Sequence, residues 1–290
     1  MARHLPTVVI TGTSTGIGEA AALQLDRVGW RVFAGVRRDE DGRALAARSS
    51  SRLRWLRFDV TDQPAIDEAA ARVAAEVGEA GLDGLVNNAG IAGGGPVEFL
   101  SAEEFRRQID VNLIGPLVVT QAFLPLLRRA RGRIVNVGSI SGRIASPMIA
   151  PYCASKHGVE ALSDALRMEL APWGVDTIVI EPGVVVTPIW EKGSRGLDAA
   201  IESLPAEATE LYGTHLNAMR WMLERGKRTG VRPERVAAVI ERALTARRPR
   251  PRYVIGADAR LRLLLQMVLP RRWMDALVLR VLRRVGTRAA

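Results

Sequence analysis

Apolar residues follow two alternating patterns along most of the chain. Short continuous runs have the length of buried strands: "TVVIT" at 7–11, "RVFAGV" at 31–36, part of "LRWLRFDV" at 53–60, "GLDGLVNNAG" at 81–90, "GRIVNVGS" at 132–139, "VDTIVIEPG" at 175–183 and "RYVIG" at 252–256. Between them the apolar positions recur every three or four residues, which predicts helices over 17–28, 63–78, 101–130, 151–174 and 232–246. Gly29 ends the first of these helices, and Pro64 sits in the first turn of the second, where its missing N–H does no harm. Ser101 and Glu104 form a capping box at the head of the third. Pro116 and Pro125 lie inside that helix and predict bends or breaks. Residues 184–230 are less regular and predict helix in pieces. Strand alternating with helix calls for an α/β fold, a doubly wound, mostly parallel sheet of about seven strands with helices on both faces, over 1–257 as one domain.

Composition agrees with one large domain. The 290 residues are 48% hydrophobic, enough for a sizeable core. Cys153 is the single cysteine, so no disulfide forms within the chain, and it reads as a small side chain packed in its helix. His4, His157 and His215 are too widely spaced for a usual zinc set, so no metal is expected. The N-terminus has too short an apolar run for a signal peptide, and no stretch reads as a transmembrane helix. A cytoplasmic protein is expected, with peripheral membrane contact open.

Charge changes the picture at one end. The formal net charge of +10 resides in 246–290, which holds twelve arginines against Asp258 and Asp275; the remainder is neutral, with 29 basic and 29 acidic side chains. That argues against nucleic-acid binding over the whole surface. Residues 258–290 read as a basic amphipathic helical extension, interrupted at Pro270. From Trp273, apolar residues fall at 273, 274, 277, 278, 281, 282 and 285, with Arg280, Arg283 and Arg284 mainly opposite. An anionic membrane surface, a second subunit and the chain's own domain are three destinations for that helix. Long aliphatic runs and no stacking aromatics beyond Trp273 disfavour nucleic acid here too.

Two local patterns carry chemistry. "TGTSTGIG" at 11–18 falls between the first strand and the first helix. There Gly12, Gly16 and Gly18 suit a tight turn, close approach to a diphosphate and close helix–sheet packing, and the helix N-terminus offers N–H groups to phosphate. Tyr152 and Lys156 are four residues apart at the head of a helix and share a face. A unit charge about 4 Å from a phenol is worth about 4 kcal/mol at effective dielectric ~20, or about three pKa units. A lysine that close can therefore bring a tyrosine down toward neutrality.

Together these motifs resemble the short-chain dehydrogenase/reductase family. The residues that carry the resemblance are "TGTSTGIG", "NNAG" at 87–90, Asn112 in "DVN", Ser139 in "VGSIS", "YCASK" at 152–156 and "EPG" at 181–183, in the family's order and spacing. The resemblance implies Tyr152 as general acid/base. It implies Lys156 as the group that lowers the tyrosine's pKa and binds the nicotinamide ribose, Ser139 as the residue orienting the substrate oxygen, and Asn112 as the holder of a relay water. It implies a cofactor cleft formed by Gly12, Thr13, Ser14, Thr15, Gly16, Ile17, Gly18, Arg37, Asp59, Val60, Asn88, Ala89, Gly90, Tyr152, Lys156, Pro182, Gly183, Val185 and Thr187. Asp59 would contact the adenine.

The second strand ends "VRRDED", so Arg37 stands where a guanidinium meets the 2′-phosphate of NADP(H), which is favoured over NAD(H). By resemblance the segment after "EPG", 184–230, closes over the substrate. Its Ile189, Trp190, Leu204, Leu211, Tyr212, Met219, Trp221 and Met222 suggest a lipophilic alcohol, ketone or aldehyde, as in the family's retinol- and steroid-dehydrogenase-like members. Ser139, Tyr152, Trp190 and Tyr212 are the expected substrate contacts. Reduction of a 3-oxoacyl thioester and non-catalytic NADPH sensing are the alternatives, and a homo-oligomer is the family's default.

Overall fold

In the computed structural model, which describes residues 5–191, 197–198, 201–202 and 204–287, the sheet winds outward in two directions from its centre. The strands are β1 (Thr7–Ile10), β2 (Arg31–Val36), β3 (Leu53–Arg57), β4 (Gly84–Asn87), β5 (Arg133–Val137), β6 (Asp176–Pro182) and β7 (Arg252–Ile255). All neighbours pair in parallel, in the order β3-β2-β1-β4-β5-β6-β7. The winding reverses between β1 and β4, which opens a crevice at the carboxyl ends of the strands.

Strand residues alternate between two cores. Val8, Ile10, Val86, Val135, Ile178 and Ile180 face one side, covered by α1 (Gly16–Arg27) and α8 (Pro233–Thr245). Val9, Phe33, Leu85 and Ile134 face the other, covered by α3 (Gln63–Val77), α5 (Gly115–Ala130) and α6 (Ala150–Glu169). Both faces are apolar, which is why the strands read as continuous apolar runs. One polar ladder crosses the second core. Asn87 Nδ2 donates to Thr120 Oγ1 (3.0 Å) and Asn136 Oδ1 (2.9 Å), and Asn136 Nδ2 donates to Ser163 Oγ (2.8 Å). It fixes α5 and α6 against the ends of β4 and β5.

The structure departs from the expected elements in four places. A short helix, α2 (Asp39–Ala46), follows β2; it buries only Gly42 and Leu45, so its apolar period is too sparse to read. The segment expected as one helix over 101–130 is helical throughout, with its α-helical geometry broken just before Pro116 and continuous through Pro125. It runs as α4 (Ala102–Ile109), a wide π turn (Asp110–Ile114) and α5. The ring of Pro116 would press on the carbonyl of Asn112 in a regular α-helix, and the wide turn relieves that contact. Contrary to expectation, Ala102–Ala130 is also long and apolar enough to cross a membrane by composition, with mean hydropathy 1.5; 39% of that window is buried, and Val119, Phe123 and Leu127 are core residues. Third, besides the expected short helical pieces at 189–191, 197–198 and 201–202, the segment after β6 contains a long helix, α7 (Ala206–Arg228).

Fourth, the tail is interrupted at Pro270 as expected, into α9 (Ala257–Val268) and α10 (Arg271–Gly286), but its apolar stripe is divided between packing and exposure. Ala259 and Leu263 of α9 pack on Ile140 and Ile144, just after β5. α10 lies along α7, with Met274, Leu282 and Gly286 buried. The apolar stripe read from sequence is therefore split: Trp273, Leu277 and Val281 remain exposed.

Candidate active site

The glycine turn owes its shape to two left-handed residues, Gly12 (φ +69°) and Gly16 (φ +67°). A Cβ on Gly12 would stand 2.7 Å from Ala89 Cα. Asn88 staples the turn, its Nδ2 donating to the carbonyls of Thr11 and Gly12, both at 2.9 Å. Thr11 Oγ1 accepts from the backbone N–H groups of Asn88 and Ala89. Thr13 is fully buried and donates its hydroxyl to Gly35 O (3.0 Å). Gly18 packs against Gly12 O and the Asn88 amide. Thr13 and Gly18 therefore build the turn without lining the cleft, while Ser14, Thr15, Gly16 and Ile17 line it. No side chain caps the N-terminus of α1, which leaves its first N–H groups free for a ligand.

The cleft runs from this turn across the strand ends. Arg37, Asp59 and Val60 line one end; Asn88, Ala89 and Gly90 line the middle; Ser139, Tyr152, Lys156, Pro182, Gly183, Val185 and Thr187 line the far end. The wall also includes Gly35, Val36, Phe58, Ile91, Val111, Val137 and Gly138, which sequence reasoning missed. Val36 and Val137 end β2 and β5, so their place at strand termini was a usable signal; Phe58 and Ile91 gave none. Arg38 is engaged with Asp41 through two hydrogen bonds (2.9 and 3.1 Å), whereas Arg37 is 68% exposed beside Asp59 (3.9 Å). Two left-handed glycines, an uncapped helix end and an accessible arginine fit a phosphorylated dinucleotide.

At the far end, Lys156 Nζ donates to Val137 O (2.8 Å) and lies 5.8 Å from the centroid of the Tyr152 ring. Burial lowers Lys156 from 10.5 to about 8, and Glu160 opposes that fall. Tyr152 departs from the sequence argument. Burial pushes its phenol up, and its hydrogen bond with Ser139 only partly offsets this. Desolvation outweighs the hydrogen bond, and the ammonium is aimed at Val137 O rather than at the phenol oxygen.

Asn112 lies in the π turn and is buried. Its Oδ1 accepts from Ile91 N (2.9 Å), and its Nδ2 donates to Ile91 O (2.9 Å) and Ser155 Oγ (3.1 Å). The side chain thus clamps the loop after β4 to α6. Cys153 is buried and its thiol is pushed up, as suits a packed residue.

The expected substrate contacts divide. Trp190 lines the cleft beside Ile189, with Nε1 donating to Val185 O (2.6 Å). Tyr212 lies outside the lining; its hydroxyl donates to Glu98 (2.8 Å) and its ring meets Phe99 edge-on. Leu204 and Met219 belong to a separate small core under α7, and Leu211, Trp221 and Met222 are exposed.

Residues 6–197 match the family model for short chain dehydrogenase. The chain is 42% identical over 287 residues to retinol dehydrogenase 5 of Mus musculus, covering 96% of this chain and 89% of that one. It is 34% identical to an NADPH-dependent 3-dehydrocapnine reductase of Ornithobacterium rhinotracheale, covering 96% and 97%. A short-chain dehydrogenase from Streptomyces avermitilis superposes with TM-score 0.74 at 26% identity, covering 92% and 96%.

The buried lysine makes a prediction about stability. Its folded pKa, about 8, lies below the ordinary 10.5, so between those values the unfolded chain binds more protons and stability rises with pH. Lys156→Met removes this contribution. Urea denaturation should therefore show wild type gaining on the variant above about pH 8, by up to about 1.4 kcal/mol per pH unit. Parallel stability curves would contradict the assignment.

Proposed function

We propose that this chain, which belongs to the short-chain dehydrogenase family and is an oxidoreductase acting on alcohols, uses NADP(H) to interconvert a lipophilic alcohol and its ketone or aldehyde. One observation carries the reading: the glycine turn, Arg37 and the group formed by Ser139, Tyr152 and Lys156 line a single cleft. The dinucleotide, when bound, supplies or accepts a hydride at nicotinamide C4.

In the reducing direction, Ser139 orients the carbonyl oxygen, and the Tyr152 hydroxyl delivers a proton to it as the carbon gains hydride. Lys156, mostly charged at pH 7, stabilises the phenolate left behind and contacts the nicotinamide ribose. Asn112 holds Ile91 and α6 in register beneath that reaction. Arg37 gives its guanidinium fork to the 2′-phosphate, since Arg38 is engaged by Asp41. Asp59 takes the adenine end. The similar reductase of Ornithobacterium is NADPH-dependent by name, which supports the cofactor choice. For the substrate, Ile189 and Trp190 offer apolar surface beside Ser139, and retinol, the alcohol named for the mouse relative, is itself lipophilic.

The tail suits such a substrate. Leu261, Leu264, Met267 and Val268 of α9 and Trp273 of α10 are exposed close to Pro270, among Arg260, Arg271 and Arg272. Apolar side chains ringed by guanidinium groups match an anionic bilayer surface, from which a lipophilic substrate could reach the cleft. We therefore place the protein peripherally at such a membrane.

Two outcomes test these readings. Wild type should oxidise NADPH with retinoid or steroid carbonyls, and Tyr152→Phe should lose at least about 100-fold in kcat while NADPH affinity stays near normal. Residual activity above about a tenth would contradict the tyrosine's role, and turnover confined to short acyl thioesters would contradict the substrate class. The intact chain should also sediment with phosphatidylserine vesicles at low salt, and Met267→Glu with Trp273→Glu should abolish this. Wild type remaining in the supernatant would contradict membrane docking.

A further inference from the structure

Beneath the floor of the cleft lies a cluster of buried charge that the proposed chemistry does not use. Glu160 follows Lys156 by one turn of α6 and shares its face, and Glu181 of β6 immediately precedes Pro182 of the cleft wall. Glu181 is fully buried and Glu160 is 7% exposed. Arg252 of β7 directs one Nε to both, 3.0 Å from Glu160 Oε2 and 3.3 Å from Glu181 Oε1, and its Nη2 reaches Asp164 at 2.6 Å. Arg143, in the turn after β5, donates to Glu181 Oε1 at 3.2 Å. Glu160 Oε1 and Glu181 Oε2 are each buried with no hydrogen-bond partner.

Two glycines make room for this arrangement. A Cβ on Gly138, in the cleft floor, would stand 3.3 Å from Glu160 Oε1, and one on Gly142 would stand 3.1 Å from Glu160 Cγ. The Glu160 carboxyl therefore fits under the loop that carries Ser139. The charged groups facing it are Lys156 on its own helix, Glu181 from β6, Arg252 from β7 and Arg143 from the turn after β5, with Asp164 sharing Arg252. Burial and the neighbouring Glu181 raise Glu160 to about 7, against the pull of Arg252 and Arg143. Glu160 is in turn the charge that supports the ammonium of Lys156 against desolvation.

We propose that Glu160 is a positioning residue for the active lysine: its carboxylate, held away from water behind Gly138 and Gly142, keeps the buried Lys156 ammonium protonated. The significance for turnover rests on the proposed function, but the charge of Lys156 can be read without turnover. The chain has three lysines, Lys156, Lys192 and Lys227. Protein labelled with ε-13C-lysine gives three titrating signals, assigned with Lys192→Arg and Lys227→Arg.

Glu160→Gln should move the Lys156 midpoint down by about half a pH unit or more, a roughly threefold change in its charged-to-neutral ratio. The alkaline limb of kcat/KM should follow that shift. Coincident Lys156 titrations in wild type and Glu160→Gln would overturn the proposal. Should Glu160→Gln fail to fold, Glu160→Asp, whose carboxylate is drawn back by one methylene, decides: a lower Lys156 midpoint supports the proposal, and an unmoved or higher one overturns it. A downward shift in a protein that turns over no carbonyl would leave this inference standing and contradict the proposed function.

Discussion

Holding an ammonium out of water at the carboxyl end of a parallel sheet is the constraint on which the site depends. Burial alone favours a neutral amine, and burial of Lys156 has already brought it to about 8. Two features oppose that tendency: the carbonyl of Val137 at 2.8 Å, available because β5 ends there, and the negative charge of Glu160. Both require α6 to sit at one rotation and height against β5. The bond from Asn136 to Ser163 fixes the helix midway, and the bond from Asn112 to Ser155 fixes it near its start. The wide turn before Pro116, which carries Asn112, is thus tied to the position of the lysine.

The C-terminal elements take part in the same arrangement. Gly183 N donates to Ile255 O (2.8 Å) and Val184 N to Asp258 Oδ2 (3.2 Å), so β7 and the head of α9 brace the cleft wall from behind. Gln266 of α9 donates to Arg143 O (3.0 Å), next to the guanidinium that meets Glu181. Farther on, α10 lies on α7, in the segment that follows the cleft wall. The basic tail therefore begins as part of the site's support and ends as an apolar surface edged with arginine.

Much of this was legible in the sequence because it is local. Continuous apolar runs marked the strands, and the glycine turn announced itself between a strand and a helix. The Tyr152–Lys156 spacing on α6 needed only helical geometry. What stayed hidden depends on groups far apart in sequence or on side-chain direction. The short α2 has too few apolar positions to show a period. Tyr212 lies in the segment expected to form the lid, but its hydroxyl turns to Glu98. No local pattern joins Glu160 and Glu181, which meet only where α6, β6 and β7 bring them around Arg252. The phenol of Tyr152 shows the same limit in energetic form, since pairwise charge arithmetic omits the desolvation that dominates in the folded chain.

The most direct test of the central claim follows the hydride itself. The chain is incubated with NADPH carrying two deuterium atoms at nicotinamide C4 and a lipophilic aldehyde or ketone, and the product alcohol is examined by mass spectrometry. The account predicts one deuterium on the carbinol carbon, with the hydroxyl proton taken from solvent through Tyr152. An alcohol formed without that label, or NADPH bound tightly with no alcohol formed from any lipophilic carbonyl, would contradict it.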